Sequence, residues 1–237
     1  MIPKTIHYCW FGKKPLPPKT VEAIKTWTDY LPSFAIKQWD ETNFDVNAMK
    51  YTRQAYFAKR YAFVSDVARL YALKTEGGIY LDTDVILKKS VPTQWLDFKG
   101  FTSFEHDRYV QTGVLACEPH LPVIEAFYES YKQSAFFSYK GFVLTPNVYR
   151  MTRLMQEHGF VMNNKQQMRD GFVIFPQVIL SAKDWEKGRY DTEETIMLHD
   201  FAGTWGRDLL RHKYKSLASM YLTMAKWALW GRYVRLK

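Results

Sequence analysis

Cysteine is scarce in this 237-residue chain, and its scarcity excludes some architectures. Only Cys9 and Cys117 occur, each in an apolar, strand-like context, and neither belongs to a Cys-x-x-Cys pair. A disulfide framework or a structural zinc site is therefore not expected. Buried free thiols in a reducing compartment are the expected state of both residues.

Long apolar runs are also missing. No stretch approaches the roughly 20 apolar residues that a helix needs to span a bilayer. Lys4, His7 and Trp10 interrupt the first residues, so no signal peptide is expected. We find no internal repeat and no low-complexity segment. We expect a cytoplasmic protein and leave a peripheral membrane location open.

Apolar and basic residues are what the chain does have. It is 47% hydrophobic and 17% aromatic, which suits one large packed domain, and its net charge is +9. Between residues 207 and 237, eight basic residues stand against one acidic residue. This concentration argues against a nucleic-acid-binding fold through the whole chain. We predict a domain over 1–206 and a separate basic tail over 207–237.

The tail interleaves its basic residues with leucine, methionine, tyrosine and tryptophan. This pattern predicts one or two basic amphipathic helices. Such helices could cap the core, contact nucleic acid or lie on a membrane surface. Aromatic residues beside lysine and arginine fit an anionic bilayer surface best.

The first part of the chain predicts an α/β sheet of nucleotide-binding type. A strand over 2–12, a helix over 18–30 and a strand over 34–39 follow one another. Trp10 lies at the carboxyl end of the first strand, where open α/β sheets bind ligands. It is either a core tryptophan or a platform for a nucleotide base.

A long helix is predicted over 50–75, and Gly77-Gly78 ends it. Asp66 and Arg69 lie three residues apart and therefore on one face. They form either a surface ion pair or a buried, cleft-facing pair that contacts a polar ligand. The apolar character of this helix favours the second interpretation.

A buried strand over 79–81 then leads to Asp82-Thr83-Asp84. Two carboxylates one residue apart suit a hard cation such as Mg²⁺ or Mn²⁺. His199 follows an apolar run much later, and it is either an ordinary polar residue or a further metal ligand. The other predicted elements are strands over 85–87, 101–105, 109–117 and 172–175 and helices over 119–138 and 148–157. The stretch 196–205 is predicted to be a short strand that leads into a glycine-containing loop.

Four motifs together resemble one family of bacterial sugar transferases. They are IPKTIHYCWFG, SDVARLYALKTEGGIYLDTD, the LTPN loop and HDFAGTW, and they extend from residue 2 to residue 205. The chain resembles glycosyltransferase family thirty-two, the D-x-D-containing capsular-polysaccharide and lipopolysaccharide transferases. That family is related to the yeast initiating mannosyltransferase and to the catalytic domains of clostridial glucosylating toxins.

The resemblance implies a GT-A (Rossmann-like) mixed α/β sheet flanked by helices, a nucleotide-sugar donor and a divalent cation, Mn²⁺ or Mg²⁺. It assigns the metal to Asp84, with Asp82 and His199 completing the site, and counts Asp82, Asp84 and Arg69 as catalytic. The donor would be bound by residues from several motifs, namely Trp10, Asp66, Arg69, Tyr80, Asp82, Thr204 and Trp205.

Two positions depart from the pattern of the resembled family. Gln111 stands where many members have asparagine, and Thr145-Pro146-Asn147 lacks a glycine often found between threonine and proline. The resemblance places Gln111, Thr145 and Asn147 near the transferred sugar or the acceptor. The identity of the sugar therefore stays open.

We expect a retaining transferase that moves a sugar from a UDP-sugar, such as UDP-galactose or UDP-glucose, to a polyprenyl-diphosphate-linked saccharide. Such a step belongs to capsule or O-antigen synthesis at the inner face of the cell membrane. Nucleic acid is not an expected partner. The alternative is a protein of the same fold that binds a nucleotide or a membrane without turnover.

Overall fold

The computed structural model describes residues 1–105, 108–138, 141–143, 145–184 and 188–200. The predicted tail, Thr204 and Trp205 lie outside these residues. The helices are α1 Pro18–Tyr30, α2 Lys50–Phe57, α3 Tyr61–Glu76, α4 Pro122–Lys132, α5 Asn147–Glu157 and α6 Gln177–Leu180. The first seven strands are β1 Thr5–Cys9, β2 Ala35–Trp39, β3 Gly78–Leu81, β4 Val85–Leu87, β5 Gly100–Glu105, β6 Tyr109–Val110 and β7 Val114–Cys117. The others are β8 Phe137–Ser138, β9 Gly141–Phe142, β10 Gln167–Arg169, β11 Phe172–Phe175, β12 Lys183–Asp184, β13 Gly188–Arg189 and β14 Met197–His199.

One mixed sheet organises the described residues. Its strand order is β10-β11-β5-β7-β3-β1-β2, and β6 pairs with β5. The pairs β1–β2, β1–β3 and β5–β11 are parallel, whereas β7 runs antiparallel to both β3 and β5. The mixed α/β sheet flanked by helices that the sequence predicts is therefore confirmed. No helix among the described residues is both long and apolar enough to cross a membrane.

Strand β3 separates two apolar clusters. Ile79 and Leu81 belong to the cluster that contains Trp27 of α1. Tyr80 belongs to the other cluster, which contains Leu70 of α3. Because side chains alternate along a strand, the residue two positions after Tyr80 is directed to the same side as α3. This alternation sets where the first aspartate of the Asp-x-Asp pair points.

The single helix predicted over 50–75 is wrong, because the structure has two helices, α2 and α3. Lys59 has a positive φ of 56° between them. The Arg60 amide donates to the Ala55 carbonyl at 2.8 Å, and the Lys59 amide donates to the Tyr56 carbonyl at 2.9 Å. These two bonds form a Schellman helix end. Glycine is the residue that usually indicates such a helix end in a sequence, so lysine at position 59 did not predict it.

The strand predicted over 109–117 is also divided, into β6 and β7. Residues 111–113 interrupt it, and the carbonyl groups of Thr112 and Gly113 accept hydrogen bonds from Arg69 and Asp82. The helix predicted over 119–138 is shorter, because α4 begins at Pro122, a favoured first helical residue, and ends at Lys132. The predicted strand over 172–175 is confirmed as β11.

Gly78 allows β3 to lie directly beside β1. Its φ is 104°, and a Cβ atom there would lie 2.5 Å from the Thr5 carbonyl oxygen. A side chain at this position would therefore strain the backbone and push β3 away from β1. The double glycine thus ends α3 and also fixes the register that carries the chain to Asp82.

Candidate active site

The Asp-x-Asp pair lies in a tight turn at the carboxyl end of β3. The Asp82 amide donates to the Gly113 carbonyl at 2.8 Å, and the Val85 amide donates back to the Asp82 carbonyl at 3.0 Å. These bonds hold both carboxylates at one edge of the sheet. Ligands of open α/β sheets bind at this edge.

Strand β14 brings His199 to the same point. It pairs antiparallel with β4, so that His199 lies opposite Val85. The Asp200 amide also donates to the Asp84 carbonyl at 2.9 Å. The structure therefore places a residue from the last described strand next to a turn formed much earlier in the chain.

Asp82, Asp84 and His199 form a candidate metal site, and we refer to these three side chains as the metal cluster. One ligand atom from each lies within 4.8 Å of the other two. His199 Nε2 is 3.2 Å from Asp84 Oδ1 and 3.9 Å from Asp82 Oδ2. Two carboxylates and an imidazole fit a divalent cation that keeps further positions for ligand oxygens. The three residues predicted as metal ligands are thus brought together.

The charge on His199 reflects its acidic neighbours. Burial of the imidazole opposes protonation, but the charge and hydrogen bond of Asp84, with Asp82 and Glu105, outweigh it and raise the pKa of His199 to about 9. Without a metal, the imidazolium therefore balances the carboxylates at neutral pH. A bound cation would replace that proton, because metal-ligating histidine must be neutral.

Gly113 faces this cluster, and the sequence did not indicate it. A Cβ atom at position 113 would lie 2.5 Å from His199 Cε1 and 2.9 Å from Asp82 Oδ2. Any larger residue would displace one of the two ligands. Gly113 is thus a packing requirement of the site, which only the three-dimensional structure reveals.

Arg69 connects the metal cluster to α3. Its Nη2 lies 3.2 Å from both Asp66 Oδ1 and Asp82 Oδ1. Its Nη1 donates to the Thr112 carbonyl at 2.8 Å, and only 5% of the residue is exposed. The surface ion-pair interpretation is therefore wrong. A guanidinium suits this position because it can bond several acceptors at once.

Tyr80 completes the surroundings of Asp82. Its hydroxyl donates to Asp82 Oδ1 at 2.8 Å, and the Arg69 Cζ lies 4.6 Å from the centre of its ring. Burial raises the pKa of Tyr80, so the phenol stays protonated and acts as a donor. One aspartate oxygen thus accepts from a phenol and contacts a guanidinium, which fixes its orientation.

Asp66 lies on the other side of Arg69 and is tied to α5. Asn147 Nδ2 donates to Asp66 Oδ1 at 2.6 Å. Burial raises the pKa of Asp66 to about 7, although Arg69 opposes the rise. Thr145, predicted near the same place, is exposed and precedes α5.

Two other predicted site residues, Trp10 and Gln111, have hydrogen-bond partners outside the Asp82, Asp84 and His199 group. Trp10 lines a groove of about 330 Å³ with Lys13, Lys14 and Glu41, and its Nε1 donates to the Lys14 carbonyl at 2.6 Å. It follows β1, which runs parallel beside β3, so it lies at the same edge of the sheet as Asp82. Gln111 is fully buried, and its Nε2 donates to Ser103 Oγ at 2.6 Å.

A family comparison matches the stretch that contains Asp66, Arg69, Tyr80 and the Asp-x-Asp pair. Residues 17–102 match the family described as "Glycosyltransferase sugar-binding region containing DXD motif". Asp82-Thr83-Asp84 is the Asp-x-Asp sequence within that stretch. Over these residues the chain is similar to a glycosyltransferase sugar-binding region.

Individual proteins are similar to parts of the chain. Subversion of eukaryotic traffic protein A of Legionella pneumophila is 25% identical over 39% of this chain, a match that spans 18% of that protein. The PaToxG glycosyltransferase structure is 20% identical with a TM-score of 0.43, covering 54% of this chain and 59% of that one. A glycosyltransferase involved in the glycosylation of the major capsid of PBCV-1 is 12% identical with a TM-score of 0.46, covering 86% and 96%. We therefore infer the function of the chain from the match of residues 17–102 and from the geometry of the side chains.

Proposed function

We propose that the chain is a divalent-metal-dependent glycosyltransferase that takes its sugar from a nucleotide-sugar donor. The observation that carries this proposal is the convergence of Asp82, Asp84 and His199 within 4.8 Å at the end of β3. The match of residues 17–102 to a sugar-binding region with the same Asp-x-Asp motif supports it.

The residues present suit the departure of a nucleoside diphosphate. A divalent cation, when bound by Asp84, His199 and Asp82, supplies positive charge to the diphosphate oxygens. Asp82 is held by Tyr80 and Arg69 and keeps its orientation as charge develops. Asp66 accepts hydrogen bonds, which suits contact with the hydroxyl groups of a sugar or ribose. Thr204 and Trp205 are proposed to contact the diphosphate.

Trp10 is proposed to stack on the nucleobase. Its groove lies at the end of β1, and the metal cluster lies at the end of the neighbouring parallel strand β3. A nucleoside diphosphate could therefore extend along one edge of the sheet, with its base on Trp10 and its phosphates near Asp84. The groove is lined by two lysines, Lys13 and Lys14, and by two acidic residues, Asp40 and Glu41, so stacking on Trp10 rather than charge is proposed to hold the base there.

The finer assignment is a retaining GT-A enzyme of glycosyltransferase family thirty-two that uses Mn²⁺ and a UDP-sugar. The proposed acceptor is a polyprenyl-diphosphate-linked saccharide of capsule or O-antigen synthesis. The motifs from residue 2 to residue 205 support this assignment.

A place at the inner face of the cell membrane is proposed from the basic aromatic sequence of 207–237. Changing Arg232, Arg235 and Lys237 together to glutamine should weaken binding to vesicles that contain anionic lipid. Neutral vesicles serve as the control. Unchanged binding to anionic vesicles would refute the membrane contact.

Donor hydrolysis tests the enzymatic proposal directly. A panel of UDP- and GDP-sugars is incubated with the protein and Mn²⁺, and release of the nucleoside diphosphate is measured with and without EDTA. We expect metal-dependent release that is lost in Asp84→Ala and retained in Asp29→Asn, an exposed aspartate of α1. Equal rates of hydrolysis for Asp84→Ala and the unchanged protein would refute the proposed metal-dependent transferase. Metal-independent UDP binding without turnover would favour the non-catalytic alternative.

A further inference from the structure

Tyr149 exposes a large aromatic ring beside the candidate site. Its exposed fraction is 48%, whereas most of the large apolar side chains in the described residues are buried. The ring packs edge-on against Tyr109, with centroids 4.9 Å apart and an interplanar angle of 77°. Such a pair leaves aromatic surface open to solvent next to two phenol hydroxyls.

Backbone connections place both rings close to the site. Tyr109 pairs across β5 and β6 with Glu105, whose charge acts on His199. Tyr149 comes two residues after Asn147, which binds Asp66. The Val110 amide donates to Thr152 Oγ1 at 2.8 Å and so joins β6 to α5. Strand β6 and helix α5 thus hold the pair near Glu105 and Asn147, and each of these two residues interacts with a residue of the candidate site.

The fold gains little from this exposed ring. A residue that is nearly half exposed contributes only part of the free energy that full burial of an aromatic side chain supplies. The chemistry instead suits a saccharide. Aromatic side chains offer a large apolar face with a polar hydroxyl at one end. The C–H face of a sugar ring can pack on that face while its hydroxyls bond to phenol and carboxylate oxygens.

We propose that Tyr109 and Tyr149 form an acceptor platform that binds a saccharide ring next to the donor site. This inference rests on the proposed glycosyltransferase function and specifies its acceptor side. The acceptor ring would lie against Tyr149, with its reacting hydroxyl directed toward the region between Asp66 and the metal cluster. Both tyrosines act by binding, and neither takes part in bond making.

Ligand-observed NMR with simple sugars tests the platform. Saturation transfer from the 237-residue chain with UDP and Mg²⁺, which is diamagnetic, is measured to methyl α- and β-glycosides of common hexoses and N-acetylhexosamines at millimolar concentration. We expect transfer to at least one glycoside. That signal should fall about tenfold in Tyr149→Ala, as for the loss of one aromatic contact of about 1.4 kcal/mol. Tyr149→Phe keeps the ring and should retain most of it.

Tyr30→Ala is the matched control, because Tyr30 is 39% exposed at the end of α1. It should leave the glycoside signal unchanged. The rate of donor hydrolysis by water is measured on the same samples, so that a change in donor turnover is told apart from a change in glycoside binding. In a transfer assay, Tyr149→Ala should raise the KM for the glycoside by a larger factor than it changes the rate of hydrolysis.

The outcomes separate the two proposals. If the protein hydrolyses a nucleotide-sugar but no glycoside receives saturation, the platform is refuted and the enzyme stands. A glycoside signal that survives Tyr149→Ala also refutes the platform. If neither UDP binding nor hydrolysis is detected, the enzymatic proposal itself fails. Thermal unfolding of each variant checks that the altered chains remain folded.

Discussion

The side-chain amide of Asn147 donates a 2.6 Å hydrogen bond to Asp66 Oδ1. The first residue of α5 is thereby tied to the middle of α3, although eighty-one positions separate the two residues in the chain. This bond means that Asp66 has two partners, Asn147 and Arg69, before any ligand arrives.

Changing Asn147 to alanine should weaken the hold on Asp66 without breaking the Arg69 pair. Loss of one hydrogen bond to a charged group costs about 1.5–3 kcal/mol. We expect donor hydrolysis to fall about tenfold or more in kcat/KM while the protein stays folded. Asn47→Ala, at an exposed position, is the control. Equal kcat/KM values in both variants would contradict a role for the Asn147 contact.

Changing Arg69 to lysine should destabilise the fold although the charge is kept. A lysine ammonium cannot reach Asp66, Asp82 and the Thr112 carbonyl at once. Breaking a buried ion pair costs about 3–5 kcal/mol, and lysine should lose a large part of that. Urea unfolding measures the change. Arg153→Lys, which alters an exposed pair with Glu157, should shift stability by less than about 0.5 kcal/mol.

Mn²⁺ should stabilise the protein against heat, because it binds the folded arrangement of Asp82, Asp84 and His199. A ligand present at about one hundred times its Kd adds about 2.7 kcal/mol to the free energy of unfolding. The Tm should rise with Mn²⁺ and return to its starting value with EDTA. Asp84→Asn should abolish the rise, and Asp29→Asn should keep it. A rise of the same size in Asp84→Asn would place the metal elsewhere.

Gly113→Ala should impair metal binding more than folding. The φ of Gly113 is not positive, so the backbone accepts alanine, but the new Cβ would meet His199 at 2.5 Å. Displacement of one ligand should lower Mn²⁺ affinity by about 10–100-fold. Calorimetric titration with Mn²⁺ measures it. An unchanged Kd would show that His199 is free to move aside.

His7 should make the protein sensitive to acid. Its Nε2 donates to the Gly77 carbonyl at 2.7 Å, and its Nδ1 accepts from Trp39 Nε1 at 3.0 Å. Burial lowers the pKa of His7 below 6.5 in the folded protein, so the unfolded chain binds its proton more readily. The stability that neutral His7 provides is therefore present above pH 6.5 and is lost as the pH falls through and below that value.

The Tm measured from pH 8 to pH 5 tests the predicted loss of stability in acid. His7→Gln should lower the Tm at pH 8 and flatten its decline toward pH 5. His158→Gln, at an exposed position, should follow the unchanged protein. Parallel curves for His7→Gln and the unchanged protein would show that His7 does not titrate with unfolding.

The structure brings several of the predicted site residues together, whereas several element boundaries differ from the predicted ones. Periodicity predicted that Asp66 and Arg69 share one face of a helix, and Arg69 Nη2 lies 3.2 Å from both Asp66 Oδ1 and Asp82 Oδ1. His199 required the long-range pairing of β14 with β4, and its predicted ligand role rested on the resemblance. The geometry brings these residues together, whereas their individual roles stay predictions.

The features of the site that the sequence did not predict involve backbone atoms and the absence of a side chain. The Thr112 carbonyl binds Arg69, and Gly113 leaves room for His199. Neither feature depends on a side chain with recognisable chemistry, so no motif marks them. The helix end at Lys59 was not predicted for a similar reason. Lys59 has a positive φ, a conformation for which glycine is the usual sequence signal.

The pairing of β4 with β14 has a consequence for synthesis of the chain. Asp82 and Asp84 leave the ribosome long before His199, which the last described strand supplies. A nascent chain therefore holds two of the three proposed ligands and lacks the strand that positions the third. If the proposed site binds a cation, tight binding would become available only when that strand has paired, and the cation would then connect an early and a late segment of the chain. Cation occupancy would then report that folding has been completed.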